Sequence, residues 1–181
     1  MDKLTQIATL LITFASSIYI MIIMVRFLLQ LVRADFYNPL SQFIVKATNP
    51  LLMPLRKIIP GFFGVDIASL ILALLIQMLA AQLIVLVSHN NIMPLLPNII
   101  YSIHALLELI LNIFFFAFIV LVIVSWVAPH TRSPALDILH SLTEPVLQPI
   151  RRIIPPMGGL DFSIMIAILM IYILKILLSV N

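Results

Sequence analysis

Four stretches of this 181-residue chain are long and apolar enough to cross a bilayer, and they set the class of fold before any motif is read. A helix needs about 20 mainly apolar residues to span the hydrocarbon core. Leu4 to Val25 carries no charge, and its apolar character continues past Arg26 to Val32. Ile67 to Val87 is likewise uncharged. The third stretch runs from about Ile103 to Val127 and includes Glu108; the fourth, Phe162 to Val180, contains only Lys175. The first is too long for a signal peptide, and no small-residue cleavage site follows it. With 63% hydrophobic and 9% charged residues, the chain is far from the roughly 25% charge of a soluble domain. The expectation is an all-α membrane protein with four transmembrane helices.

The four spans are not independent. A shift of 95 positions lays Pro145–Asp161 over Pro50–Asp66, and nine of the 17 positions are then identical: Pro50/Pro145, Leu52/Leu147, Pro54/Pro149, Arg56/Arg151, Ile58/Ile153, Ile59/Ile154, Pro60/Pro155, Gly64/Gly159 and Asp66/Asp161. Greasy segments alone do not align prolines, an arginine and an aspartate together. The chain therefore reads as two tandem repeats, each a helical hairpin of span, polar linker and span. The first repeat is 1–88 with linker 33–66, and the second is 103–181 with linker 128–161. A connecting loop, 89–102, separates them. Two spans per unit make the repeats parallel rather than inverted.

Basic residues concentrate in the linkers. The first holds Arg33, Lys46, Arg56 and Lys57, the second Arg132, Arg151 and Arg152, while the other side has Lys3 and Lys175. The positive-inside bias predicts cytoplasmic linkers and outward termini. Each linker opens with a helix start, Asn38-Pro39 or Ser133-Pro134, where a capping side chain precedes a proline at the first helical position. An amphipathic helix of roughly ten residues follows, with Phe43 and Ile138 on the apolar face, and its shape predicts that it lies in the interface. Beyond it, Pro54 and Pro149 are expected to kink or break the chain, and Pro60 and Pro155 to end it. Pro50 and Pro145 belong to the same frame.

The pairs Arg56-Lys57 and Arg151-Arg152 then sit at headgroup depth, where a cation near an anionic leaflet gains about 1 kcal/mol. They read as positive-inside anchors or as contacts for a lipid or partner. Asp66 and Asp161 open the following spans. Each reads as a helix N-cap, or as the partner of the arginine ten residues before it. Glu108 and Lys175 are candidates for a pair between the third and fourth spans, since intramembrane charges are costly and often functional. Arg26 can snorkel to the inner interface. Gln30, Gln77, Gln82 and Asn112 are candidates for hydrogen bonds between helices.

The doubled P-x-L-x-P-[LI]-R-[KR]-I-I-P segment, the G-x-D before the next span and the preceding FYNP resemble the YggT family of small bacterial and plastid membrane proteins. The resemblance covers essentially the whole chain. It implies a bacterial inner-membrane protein. Members of that family are linked to osmotic-stress tolerance and potassium uptake, plastid relatives to haem attachment to cytochrome b6, and others to cell division and nucleoid organisation. It supplies no catalytic residue.

The residues themselves argue against enzymatic chemistry. The chain has no cysteine, and it shows no paired histidines, no Gly-rich phosphate loop and no Ser/His/Asp set. No catalytic, cofactor or metal residue is expected, and the paired rather than clustered cations give no nucleic-acid patch. Two functions remain: a non-enzymatic assembly or stress-protection factor, touching the inner leaflet and a membrane-protein partner or a second copy, or an oligomeric channel component.

Overall fold

The computed structural model describes residues 2–59, 61, 64–128, 131–154 and 161–178. Six helices form within them: α1 Lys3–Leu31, α2 Pro39–Ile58, α3 Ile67–His89, α4 Leu95–Val127, α5 Pro134–Ile153 and α6 Phe162–Leu178. Helices α1, α3 and α4 are long and apolar enough to cross a membrane; α6, at 17 residues, is shorter. Its expected continuation to Val180 lies outside the described residues, as do Pro60, Pro155 and Gly159. The shift of 95 carries Pro39 to Pro134, Ile58 to Ile153 and Ile67 to Phe162, so the starts of α2 and α3 and the end of α2 recur at the same register in α5 and α6.

Helix α1 ends in a Schellman motif. Arg33 takes a left-handed conformation (φ 54°), its N–H reaches the Gln30 carbonyl at 3.1 Å, and the Ala34 N–H reaches Leu29 at 2.9 Å. A non-glycine residue at this position is uncommon. Gly64, at φ 80°, supplies the same freedom ahead of α3, without the cost a side chain would incur.

Two expectations about the linkers are corrected. Each linker is one unbroken helix of 20 residues, α2 or α5, not a ten-residue helix followed by a proline break. Pro50 and Pro54 stand four apart, as do Pro145 and Pro149, so each pair disrupts a single face. Lys46 and Pro50, whose carbonyls lose their N–H donors, are exposed residues, and water or lipid head groups can meet those carbonyls instead. The second correction concerns the faces. Phe43 is 61% exposed, whereas its counterpart Ile138 is only 9% exposed. Ile138 therefore does not face outward with Phe43. The connection between the halves is also shorter than expected: α4 begins at Leu95, and Asn98 lies inside it.

The chain divides into two compact units that do not follow the sequence halves: Met1–Phe27 with Ile44–Leu107, and Leu28–Phe43 with Glu108–Asn181. In the first, Ile20, Ile23 and Met24 of α1, Leu52 of α2 and Ala68, Ala73, Ala80 and Ala81 of α3 are buried. Small side chains on an apolar helix permit close backbone approach. Within this unit Asn98 of α4 donates to the Met78 carbonyl of α3 at 3.2 Å and accepts from Ser102. In the second unit a core of Phe118, Leu121, Leu136, Leu147, Ile164, Ala167 and Ile171 draws α4, α5 and α6 together. There α5 buries Leu136, Leu142 and Leu147, and Asn38 donates to the Pro134 carbonyl at 2.8 Å.

Candidate functional site

In each linker an arginine and an aspartate meet where the linker helix hands the chain to the next apolar helix. In the first unit Arg56 and Asp66, ten positions apart, meet. Arg56 Nε donates to Asp66 Oδ1 at 3.3 Å, and Arg56 Nη2 closes an ion pair with the same carboxylate. Ser69, one turn into α3, donates its hydroxyl to Asp66 as well. Asp66 is only 3% exposed. Burial alone would raise its pKa, but the hydrogen bonds from Arg56 and Ser69 outweigh that and hold the carboxyl below the ordinary aspartate range. Its side chain makes no hydrogen bond to a helix N–H. Asp66 thus stands at the N-cap position of α3, with its side chain given to Arg56 and the Ser69 hydroxyl.

Arg26 belongs to the same unit. It is 4% exposed, so it does not snorkel to water. Its Nη1 donates to the Val45 carbonyl at 3.2 Å, to Asn49 Oδ1 at 2.8 Å and to Thr48 Oγ1. Tyr19 of α1 donates to the Ala47 carbonyl at 3.4 Å. These two carbonyls flank Lys46, the residue whose intrahelical donor is removed by Pro50. The proline-bearing turn of α2 is thus where α1 attaches, through neutral acceptors satisfying a buried guanidinium.

The second unit repeats the staple with different neighbours. Arg151 Nε and Nη2 bind Asp161 at 2.9 and 2.8 Å, and Nη1 donates to both oxygens of Glu144 at 3.0 and 2.8 Å. Burial would lower the Arg151 pKa, but the bonds to Glu144 and Asp161 raise it above its ordinary value. Asp161 also accepts from the Ser163 backbone N–H at 3.0 Å, so here the carboxylate both caps α6 and pairs with arginine. Burial would raise its pKa too, and the bonds from Arg151 and Ser163 again leave it lowered. Ser133 caps α5 through the Leu136 N–H at 3.3 Å, as the Ser-Pro start predicts.

These contacts divide each basic pair. Arg56 and Arg151 turn inward to aspartates, while Lys57 and Arg152 are exposed. Pro50, Pro54, Pro145 and Pro149 sit within the two helices. Lys175 does not take Glu108 as its partner: its Nζ donates to Asn112 Oδ1 at 2.7 Å and lies 5.6 Å from the centre of the Phe115 ring. Glu108 is exposed. Sequence reading singled out neither Thr48 nor Thr143, which stand 95 apart and are both fully buried; their recurrence at the repeat interval was the available signal. Among the described residues no group of three or more histidines and carboxylates gathers at metal-holding distance.

The sequence model of the CCB3/YggT family matches this chain twice, over residues 5–87 and 100–181. The chain belongs to the CCB3/YggT family. Both matches enclose a linker helix and its Arg–Asp staple, so each repeat of this chain fits the family pattern by itself. An uncharacterized protein of Pseudomonas aeruginosa is 48% identical over 166 residues, 91% of this chain and 84% of its own length. One from Vibrio alginolyticus is 40% identical over 150 residues, 82% and 80% of the two chains. The Escherichia coli K12 protein bearing the name Uncharacterized protein YggT is 39% identical over 167 residues, 92% and 86% of the two. No solved structure matches the chain.

Proposed function

We propose that this member of the CCB3/YggT family is a non-enzymatic inner-membrane protein that helps assemble or protect other membrane components under osmotic stress. In this reading α1, α3, α4 and α6 are four spans forming two tandem parallel hairpins. The linkers α2 and α5 lie on the cytoplasmic leaflet, and both termini are periplasmic. One observation carries the proposal: Lys57 and Arg152 occupy the same register at the ends of matched helices, exposed, each beside a strongly exposed isoleucine, Ile58 or Ile153. A cation next to a bare apolar side chain suits an anionic lipid surface or the rim of a partner helix or second copy. The inward arginines brace that surface and do not form it.

Replacing Lys57 and Arg152 together by Gln tests this in cells lacking the native protein. Osmotic-stress survival and partner recovery in mild detergent should fall, while the amount of inserted protein stays constant. Undiminished survival overturns the reading. Selective ion flux through the reconstituted protein, equal in the variant, would replace it with a channel. A cytoplasm-active reporter fused to the C-terminus checks the topology, and strong activity there refutes outward termini.

A further inference from the structure

Position 26 of the first repeat corresponds to position 121 of the second, and the residue there, Leu121, lines a cavity. Arg26 extends a buried guanidinium to Thr48 and Asn49. Leu121 has neither the length nor the donors to do the same; Thr143, like its counterpart Thr48, bonds back to its own helix, here at the Leu139 carbonyl 2.8 Å away. A cavity of about 470 Å³ lies here among α4, α5 and α6, within the ordinary range for small-molecule sites. Its long walls are apolar, formed by Leu121, Val122, Ile164, Met165 and Ile168. Its polar lining is Ser125, Trp126, His140, Arg151 and Asp161.

We propose that this cavity holds one acyl chain of a zwitterionic phospholipid, whose head group rests on the Arg151–Asp161 pair. This rests on the reading of α4 and α6 as membrane spans. The choice of head group follows from charge. Arg151 is already engaged by Glu144 and Asp161, so a carboxylate or a net-anionic head adds a like charge to two carboxylates. Asp161 is in turn already paired with Arg151, so a net cation gains little either. A head group carrying both signs meets both: its phosphate reaches the one remaining Nη2 hydrogen of Arg151 and the imidazole and indole donors, and its ammonium reaches the Asp161 carboxylate. The apolar walls take the chain without leaving an unpaired polar group.

Trp126, the single tryptophan of the chain, reports on occupancy. Lipid-stripped full-length protein in detergent is titrated with phosphatidylethanolamine brominated along its chain. Quenching of Trp126 should saturate at one lipid per protein. Unbrominated phosphatidylethanolamine should reverse it at least tenfold more effectively than phosphatidylglycerol or palmitate. Filling the cavity by Leu121→Phe or Ile168→Phe should weaken the apparent affinity at least tenfold with helical content unchanged. Lys57→Gln should leave it unchanged, which separates this site from the proposed contact surface. Equal competition by the anionic lipids, non-saturating quenching, or full affinity in both correctly folded phenylalanine variants overturns the proposal. The wild-type competition decides the matter even where a variant fails to fold.

Discussion

The two linker staples share a frame and differ in the third charge around it. In the first, Arg56 and Asp66 are joined by a second cation, Arg26, which reaches in from α1 and is satisfied by neutral groups. In the second, Arg151 and Asp161 are joined by a second anion, Glu144, from the linker helix itself. The positions exchange in register: Arg26 for Leu121, Asn49 for Glu144, Ser69 for Ile164. The first cluster ties a span to its linker and carries a net positive charge. The second closes within the linker and the span that follows, its three charges Arg151, Glu144 and Asp161 sum to a net negative, and Leu121, in place of the arginine, lines a cavity. What the repeats share is the Arg–Asp staple; what each adds decides which neighbouring helix is fastened and which is left open.

The largest separation of the two comes from removing the aspartates. Asp66→Asn strips a nearly fully buried carboxylate from Arg56 and Ser69. The loss should be about 2–3 kcal/mol, below the roughly 3–5 of a fully buried pair because Arg56 is partly exposed. Asp161→Asn should cost about 1 kcal/mol, since its side chain is 24% exposed and Arg151 keeps Glu144. Thermal unfolding in detergent measures both, and equal losses break the comparison. The same contrast appears in acid. Both folded pKa values lie below the unfolded ones. The stability each carboxylate contributes is therefore present above the unfolded value, about pH 4, and disappears as pH falls through the folded value. Asp66→Asn should flatten that acid limb more than Asp161→Asn.

The prolines give a smaller contrast. Replacing a helical proline by alanine restores one backbone hydrogen bond, worth about 1 kcal/mol net. Pro145→Ala should gain that amount. Pro50→Ala should gain less, because the carbonyl it re-engages belongs to exposed Lys46 and already meets solvent, whereas the one freed by Pro145 belongs to half-buried Ser141. A larger gain at Pro50 would show that solvent does not satisfy the Lys46 carbonyl.

The interval of 95 made much of this legible. It gave matching helix boundaries, and the ten-residue spacing of arginine and aspartate put the staple among the open readings. The Asn-Pro and Ser-Pro starts gave the beginnings of α2 and α5 because capping is local. What stayed hidden depends on tertiary cover. Phe43 and Ile138 have the same local pattern, yet only Ile138 is buried. Arg26 looked like a snorkelling cation because nothing in its own helix reveals Thr48 and Asn49 across the gap. The proline pairs looked like breaks because a sequence does not show that the stranded carbonyls of Lys46, Pro50 and Pro145 belong to exposed residues.

The finest test of the difference between the halves is the Lys175–Asn112 bond, for which the first repeat has Ser17 and Ala80 at the corresponding positions. The second half thus ties α4 to α6 with a hydrogen bond from a cation, where the first offers a hydroxyl and a methyl group. Polar links between apolar helices average only about 0.6 kcal/mol and reach about 1.7. A charged donor 2.7 Å from its acceptor, with an aromatic ring beneath it, belongs toward the upper end. A double-mutant cycle of Asn112→Ala and Lys175→Met should therefore return a coupling of about 1 kcal/mol. The parallel cycle of Glu108→Gln with Lys175→Met should be additive, because Glu108 is exposed and Lys175 is engaged elsewhere. Stronger coupling to Glu108 than to Asn112 would reverse the assignment and restore the ion pair that the sequence suggests.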